Sequence, residues 1–241
     1  MKISVVVPAF NEERLLPATL ASVRAAMQAF DEAGWDSELI VCDNNSTDRT
    51  AEIAAAAGAR VVFEPLNQIA RARNTGAAQA GGDWLVFVDA DSWPSAELFR
   101  DVVLAIGDPR CMAGGATVRA DADHRVVRAI VGWWNLISRV QKWAAGSFIF
   151  CEAEAFRRIG GFSEQLFAAE EIDLSRRLKR LARASGRRMV ILHRHPLLTS
   201  ARKMHLYTPR ETVRFYLRLL LTGGRSLRTR EGAFVWYDGR R

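Results

Sequence analysis

Four short apolar runs, Ile3–Val7, Glu38–Cys42, Arg60–Phe63 and Trp84–Val88, set the frame of this chain. Helical stretches separate them: Leu16–Phe30, with an apolar stripe of Leu20, Val23, Met27 and Phe30, then an alanine-rich segment ended by Gly58, then Asn67–Ala80. Short runs alternating with helices specify βαβ units and a parallel sheet. Right-handed crossovers place the ends of such strands on one edge. Pro8–Asn11, Asp43–Asp48 and Asp89–Asp91 are therefore predicted to converge in one crevice, where open α/β sheets hold their ligands. Asp89 and Asp91, two residues apart, point the same way if the chain stays extended. In the loop after the second run, Thr47 or Ser46 is predicted to cap the next helix.

Downstream the rhythm loosens. A helix is predicted over Pro94–Ile106 and strands over Met112–Val118, Gly146–Cys151 and Met189–Leu192. Helices are predicted over Arg125–Ala144, from Cys151 to Ile159, and over Glu170–Ala184, whose acidic first turn and basic last turns suit its macrodipole. Pro209–Leu221 reads as an amphipathic helix.

The length of 241 residues suits one large domain. The net charge of +7 conceals a division: residues 1–175 hold 16 Lys and Arg against 24 Asp and Glu, residues 176–241 hold 18 against 3. A basic final quarter suits phosphates or an anionic membrane surface; nucleic acid is set aside, because no recognition motif accompanies it. Cys42, Cys111 and Cys151 have no disulfide or metal spacing, which predicts a reducing, cytoplasmic compartment. The first residues do not form a signal peptide, and no stretch approaches the roughly 20 apolar residues of a membrane span.

Five motifs stand in a particular order. Val5-Val-Val-Pro-Ala-Phe-Asn-Glu-Glu13 comes first, then Asp43-Asn-Asn-Ser-Thr-Asp48 and Ala70-Arg-Ala-Arg-Asn-Thr-Gly76. Asp89-Ala-Asp91 and Gly160-Gly-Phe with Glu170-Glu-Ile-Asp-Leu174 complete them. Together they resemble the family-two glycosyltransferases over roughly residues 3–180. The resemblance implies a GT-A fold: a Rossmann-like, mostly parallel sheet flanked by helices, with an acceptor-side C-terminal half. It divides the single domain into a nucleotide-sugar half (1–110), an acceptor half (111–200) and a basic helix and tail (201–241). It implies an inverting hexosyltransferase that uses a nucleoside-diphosphate sugar, UDP- ahead of GDP-, with Mg²⁺ or Mn²⁺.

Residue by residue, the resemblance puts Pro8, Ala9, Asn11 and Glu12 on the nucleoside and Asp43 on the base edge. A carboxylate there suits a pyrimidine or guanine N–H; Asp48 is read as a capping residue. Arg71 and Arg73 lie roughly 200° apart on a helix and cannot share one phosphate. The resemblance assigns Arg73 to the diphosphate, leaving Arg71 as solvated helix surface. Asp91 is the expected metal ligand and Asp89 the residue orienting the donor ribose or the metal's water, both oxygen ligands suited to these cations. His195, ahead of His193 and His205, is the candidate third ligand. Glu171 stands where the family carries its general base, as glutamate in place of the usual aspartate, so Glu170 and Glu171 remain the pair of candidates. Gly146 and Ser147 are placed at the sugar, and Arg202 with Lys203 as a lid over the diphosphate or as a plain basic loop.

Trp133, Trp134 and Trp143, with Arg128, Arg139 and Lys142 among them, are read either as core and subunit packing, including a homodimer, or as a helix at a membrane's inner face. The latter reading would suit a lipid acceptor; a glycan is the other. Two further functions compete: a sugar nucleotidyltransferase, disfavoured by the lack of a Gly-rich loop after the first strand, and a non-catalytic nucleotide-sugar-binding, membrane-associated protein.

Overall fold

The computed structural model describes residues 1–122, 124–202 and 225–233. Its strands are β1 (Lys2–Ala9), β2 (Asp36–Asp43), β3 (Arg60–Phe63), β4 (Trp84–Val88), β5 (Ser92–Trp93), β6 (Cys111–Ala120), β7 (Phe148–Glu152) and β8 (Arg188–Thr199). They form one sheet in the order β3-β2-β1-β4-β7-β6-β8-β5. β1 to β4 are mutually parallel, with Ala9 beside Asp43 and Val6 beside Phe87, so the predicted crevice forms at their carboxyl ends. β7 runs antiparallel to β4 and starts, at Phe148, beside Val88. That reversal lays Gly146 and Ser147 against Asp89, whose N–H donates to Ser147 O at 3.2 Å.

The helices are α1 (Leu16–Glu32), α2 (Thr50–Ala56), α3 (Ile69–Ala78), α4 (Ala96–Gly107), α5 (Arg125–Gln141), α6 (Ala153–Arg158) and α7 (Glu170–Ala184). Successive side chains of a strand point to opposite faces. Ile3, Val5, Val7, Trp84, Val86 and Val88 accordingly pack toward α1 and α4, while Val6, Leu85 and Phe87 pack toward α3, α6 and α7. Both faces are buried, which is why these strands read as unbroken apolar runs. On the second face α3 presses close to β1: a Cβ at Gly76 would stand 2.5 Å from Val6 Cγ1. The close approach draws Arg73, one turn earlier, beneath the strand ends.

Several local expectations are corrected. Neither Ser46 nor Thr47 caps α2; Ser46 Oγ accepts the N–H of Asn11, and Thr47 N–H donates to Asn11 Oδ1. Asp48 instead accepts from the N–H of Thr50, the first residue of α2. α4 begins at Ala96, two residues after the predicted start at Pro94, because Ser95 is its cap and accepts from Leu98 N–H. α5 stops at Gln141, where Lys142 turns left-handed at φ 55°. β8 runs for 12 residues, and the two-residue β5 was not anticipated. The predicted helix over 209–221 lies outside the described residues, as do Lys203 and His205.

Candidate active site

Arg73 is the hub. It is 1% exposed, and its guanidinium spans three elements. Nη1 donates to Glu170 Oε1 at 2.7 Å; Nη2 donates to Asp89 Oδ1 and to Gly146 O, each at 2.8 Å. The ring of Phe162 lies 5.0 Å from its Cζ. Asn74, the next residue, fixes Phe162 by exchanging hydrogen bonds with its backbone N–H and C=O. Gly161 permits this turn: its φ is +67°, and a Cβ there would meet Asn74 Oδ1 at 2.6 Å. Arg73 therefore braces the strand end, the β7 entry and the head of α7. Its hydrogen-bond partners are Glu170, Asp89 and Gly146. Arg71, on the other side of α3, pairs with Glu164 at 2.9 Å.

At the head of α7 the two glutamates part. Glu170 turns inward to Arg73 and is 4% exposed. Glu171 lines a cavity of about 170 Å³ with Arg73, Asp89, Gly146, Ser147 and Ala169. Ala169 takes a left-handed φ of 62° and turns the chain into the helix there. Burial is the main cause that pushes the Glu171 carboxyl up to about 8, and the neighbouring charge of Glu170 adds to it. Burial also raises Glu170, against the pull of Arg73. A Cβ on Gly146 would lie 3.4 Å from Arg73 Nη2 and 3.5 Å from the Glu171 carboxyl carbon, so this glycine lets the cavity wall close on both.

The two aspartates do not share a direction. Ser92 N–H donates to Asp89 O, a tight turn that ends the extended chain. Asp89 faces Arg73, whereas Asp91, 7% exposed, faces the edge formed by the ends of β1 and β2. There Arg202 Nη2 lies 2.7 Å from Glu12 Oε1 and 3.9 Å from Asp91 Oδ2. Ser200 N–H donates to Asp91 O, and Ser92 Oγ meets Thr199 Oγ1 at 2.9 Å, so β8 delivers Arg202 to this edge.

Pro8, Ala9, Asn11, Glu12 and Asp43 are all brought to that edge. Asn44 N–H donates to Ala9 O, and Asp43 Oδ1 accepts from Ser46 N–H. Asn11 takes φ 52° and ties the end of β1 to the 43–48 loop with its side chain. His195 is not brought there. It sits on β8 four residues before Thr199, with Nδ1 3.0 Å from Asp101 Oδ2 of α4. His193 is exposed. Among the described residues no cluster of three His, Cys, Asp or Glu side chains forms a metal cage. Asp91 and Glu12 face one cation, Arg202, and their carboxylate oxygens are donors of the type a divalent ion takes. Sequence reasoning missed Phe162's ring under Arg73, Thr199 and Ser200 behind Asp91, and the strained Ala169. The Gly160-Gly161-Phe162 motif was the one signal for the first; nothing local marked the others.

A half-parallel sheet with acids at its strand ends, an antiparallel return strand and an acidic helix head facing them defines a GT-A glycosyltransferase architecture. The family model for Glycosyl transferase family 2 matches residues 4–158, and the chain belongs to that family. An uncharacterised glycosyltransferase of Mycobacterium tuberculosis is 37% identical over 120 residues, 46% of this chain and 50% of the relative. The poly(ribitol-phosphate) beta-N-acetylglucosaminyltransferase TarS of Staphylococcus aureus is 30% identical over 115 residues, 45% of this chain and 19% of the relative. The chain thus spans half or less of the length of these curated relatives. Residues 1–349 of TarS superpose with TM-score 0.66 at 21% identity, covering 91% of this chain and 65% of that one. A mannosyltransferase of Pyrobaculum calidifontis, solved in complex with GDP-Man and Mn²⁺, gives 0.64 at 20% identity, covering 94% and 62%. These likenesses show the fold.

Proposed function

We propose that this chain transfers a sugar from a nucleoside-diphosphate donor to an acceptor hydroxyl with inversion at the anomeric carbon. The observation that carries the reading is the cavity between Gly146, Asp89 and Glu171, closed on one side by a carboxyl whose pKa is raised toward the working range of a general base. Glu171 accepts the acceptor hydroxyl's proton. A base on the face opposite the leaving group requires a single displacement, hence inversion. Glu170 is a positioning residue: by holding Arg73 it keeps Glu171 and Asp89 across the cavity from each other. Pro8, Ala9, Asn11 and Asp43 cradle the nucleoside, with a UDP-sugar favoured over a GDP-sugar. Asp91, with Glu12 beside Arg202, would hold Mg²⁺ or Mn²⁺ together with the diphosphate, and Asp89, held by Arg73, would orient the donor ribose. When bound, such an ion neutralises charge on the departing nucleoside diphosphate. Arg202 would leave Glu12 for the diphosphate. The solved Pyrobaculum calidifontis relative with GDP-Man and Mn²⁺ supports both the donor class and the metal.

The acceptor is a hydroxyl on a glycan or a lipid, and residues 111–200 supply its half of the domain. Cys42, Cys111 and Cys151 are buried and free, consistent with a reducing compartment on the cytoplasmic side of the cell membrane.

A thermal-shift screen of UDP-, GDP- and dTDP-sugars with and without Mn²⁺ tests the reading. A donor at 100 times its dissociation constant is expected to stabilise the chain by about 2.7 kcal/mol, and only with the metal present. No metal-dependent shift with any of the three refutes it.

A further inference from the structure

α5 carries an outer face that nothing in the catalytic reading uses. Val126, Ile130, Trp133, Leu136 and Val140 are each more than half exposed, Trp133 at 66% and Val140 at 67%. At roughly 100° per residue these five fall within an arc of about 120° along the whole helix. The opposite arc, Val127, Val131, Trp134 and Ser138, packs inward. Asn135 fixes the rotation by exchanging two 2.9 Å hydrogen bonds with the backbone of Val118 in β6. The apolar stripe is therefore held outward by the fold. Contiguous exposed apolar patches of this kind mark interaction surfaces.

The margin of the stripe identifies the occupant. Arg125, Arg128 and Arg139 occupy the arc of about 60° beside it, and α5 contains no acid. A second copy docked by a two-fold axis would set these arginines against their own counterparts. Residues 203–224 of the same chain carry Lys203, Arg210, Arg214 and Arg218 against Glu211 alone, the same sign again. A surface that is anionic at its face and apolar just beneath complements both features at once. A tryptophan on the stripe suits the boundary between the two. No helix among the described residues is long and apolar enough to cross a bilayer.

We infer that α5 is a docking face for an anionic lipid bilayer, with its stripe inserted at the headgroup level and its arginines on the phosphates. Both ends of the helix adjoin the catalytic crevice. Beyond its C-terminus, Ala144 is tied to α7 by Ser175, and Gly146 lines the cavity; before its N-terminus, Asp121 accepts from Ala201 N–H beside Arg202. Docking would hold the mouth of the site near the lipid surface. The surface itself is argued independently of the catalytic reading, and its test needs no turnover.

The experiment is co-sedimentation of the whole chain with vesicles of phosphatidylcholine alone and of phosphatidylcholine mixed with phosphatidylglycerol, at low and high salt. Binding is expected to the mixed vesicles only, and to weaken with salt. Arg125→Gln combined with Arg139→Gln is expected to lower the partition coefficient roughly thirtyfold. Trp133→Glu is expected to lower it more than tenfold while the circular-dichroism melt stays unchanged. Three results would overturn the inference: no binding of the wild-type chain to anionic vesicles, binding that survives both variants, or a dimer in light scattering that Trp133→Glu dissociates while vesicle binding is absent. Failure here leaves the donor-dependent thermal shift untouched, so the two readings fail separately.

Discussion

Glu171→Gln probes stability and chemistry together. In the folded chain the Glu171 carboxyl stands at about 8 in place of its ordinary 4.5, chiefly through burial and then through the charge of Glu170. A raised carboxyl pKa means that the folded chain keeps a proton the unfolded chain has already released. The resulting stabilisation is fully present below about pH 4.5 and is lost as pH rises toward about 8. One proton contributes at most about 1.4 kcal/mol per pH unit. For a chain of this size that corresponds to roughly 3–6 °C of melting temperature per pH unit. Glutamine has no proton to lose, so the variant's curve should lack this slope. The assay is a calorimetric melt of both proteins from about pH 5 to about pH 9, the wild-type minus variant difference isolating the group. In turnover, kcat/KM of the wild type should rise with pH toward about 8, and the variant should lose roughly 10²–10⁴-fold in rate while its donor Kd stays within about twofold. Parallel melting curves would show that the titrating proton is not on Glu171. Transfer within about tenfold of wild type would remove it as the base.

Arg73→Ala leaves Asp89 and Glu170 facing each other without their cation, both largely buried; a loss of about 3–5 kcal/mol in urea unfolding is expected, and a loss under about 1 kcal/mol would show that the hub is not structural. Arg202→Ala removes a charge-assisted partner for the diphosphate, worth about 1.5–3 kcal/mol, so Kd for the nucleoside diphosphate by isothermal titration calorimetry should rise about 10- to 150-fold; an unchanged Kd would return Arg202 to a plain basic loop tied to Glu12.

The first half of the chain was largely legible because its signals are local. Trp84–Val88 and Arg60–Phe63 are strands over the residues that periodicity named, and the three strand-end clusters meet on one edge as crossover handedness requires. What stayed hidden depends on distant partners. The resemblance singled out Arg73, but its burial as a hub rests on Asp89 and Glu170, which arrive from 16 and 97 positions away. His195 carries no local mark of its partner Asp101, 94 residues earlier. β8 was cut short because His193, Arg194 and Pro196 interrupt its apolar pattern, although the strand continues past a register irregularity to Thr199. A two-residue strand such as β5 lies below any periodicity. Glu170 and Glu171 could be named as a pair, but which faced the cavity depended on Ala169, whose left-handed backbone no residue preference announces.

The pairing of β5 with the end of β8 also bears on how the molecule assembles. Ser92 and Thr199 meet across 107 positions of chain, and the backbone carbonyl of Asp91 is held by Ser200. Closing so long a loop has an entropic cost that nearer contacts do not share. β2 pairs with β1 and β3 over shorter separations and can form early, whereas the carboxylate turn after β4 acquires its clasp only when β8 returns. On a ribosome, that return waits until 107 further positions after Ser92 have been made. A nascent chain would thus hold its first strand pairs well before the turn that carries Asp89 and Asp91 is clasped.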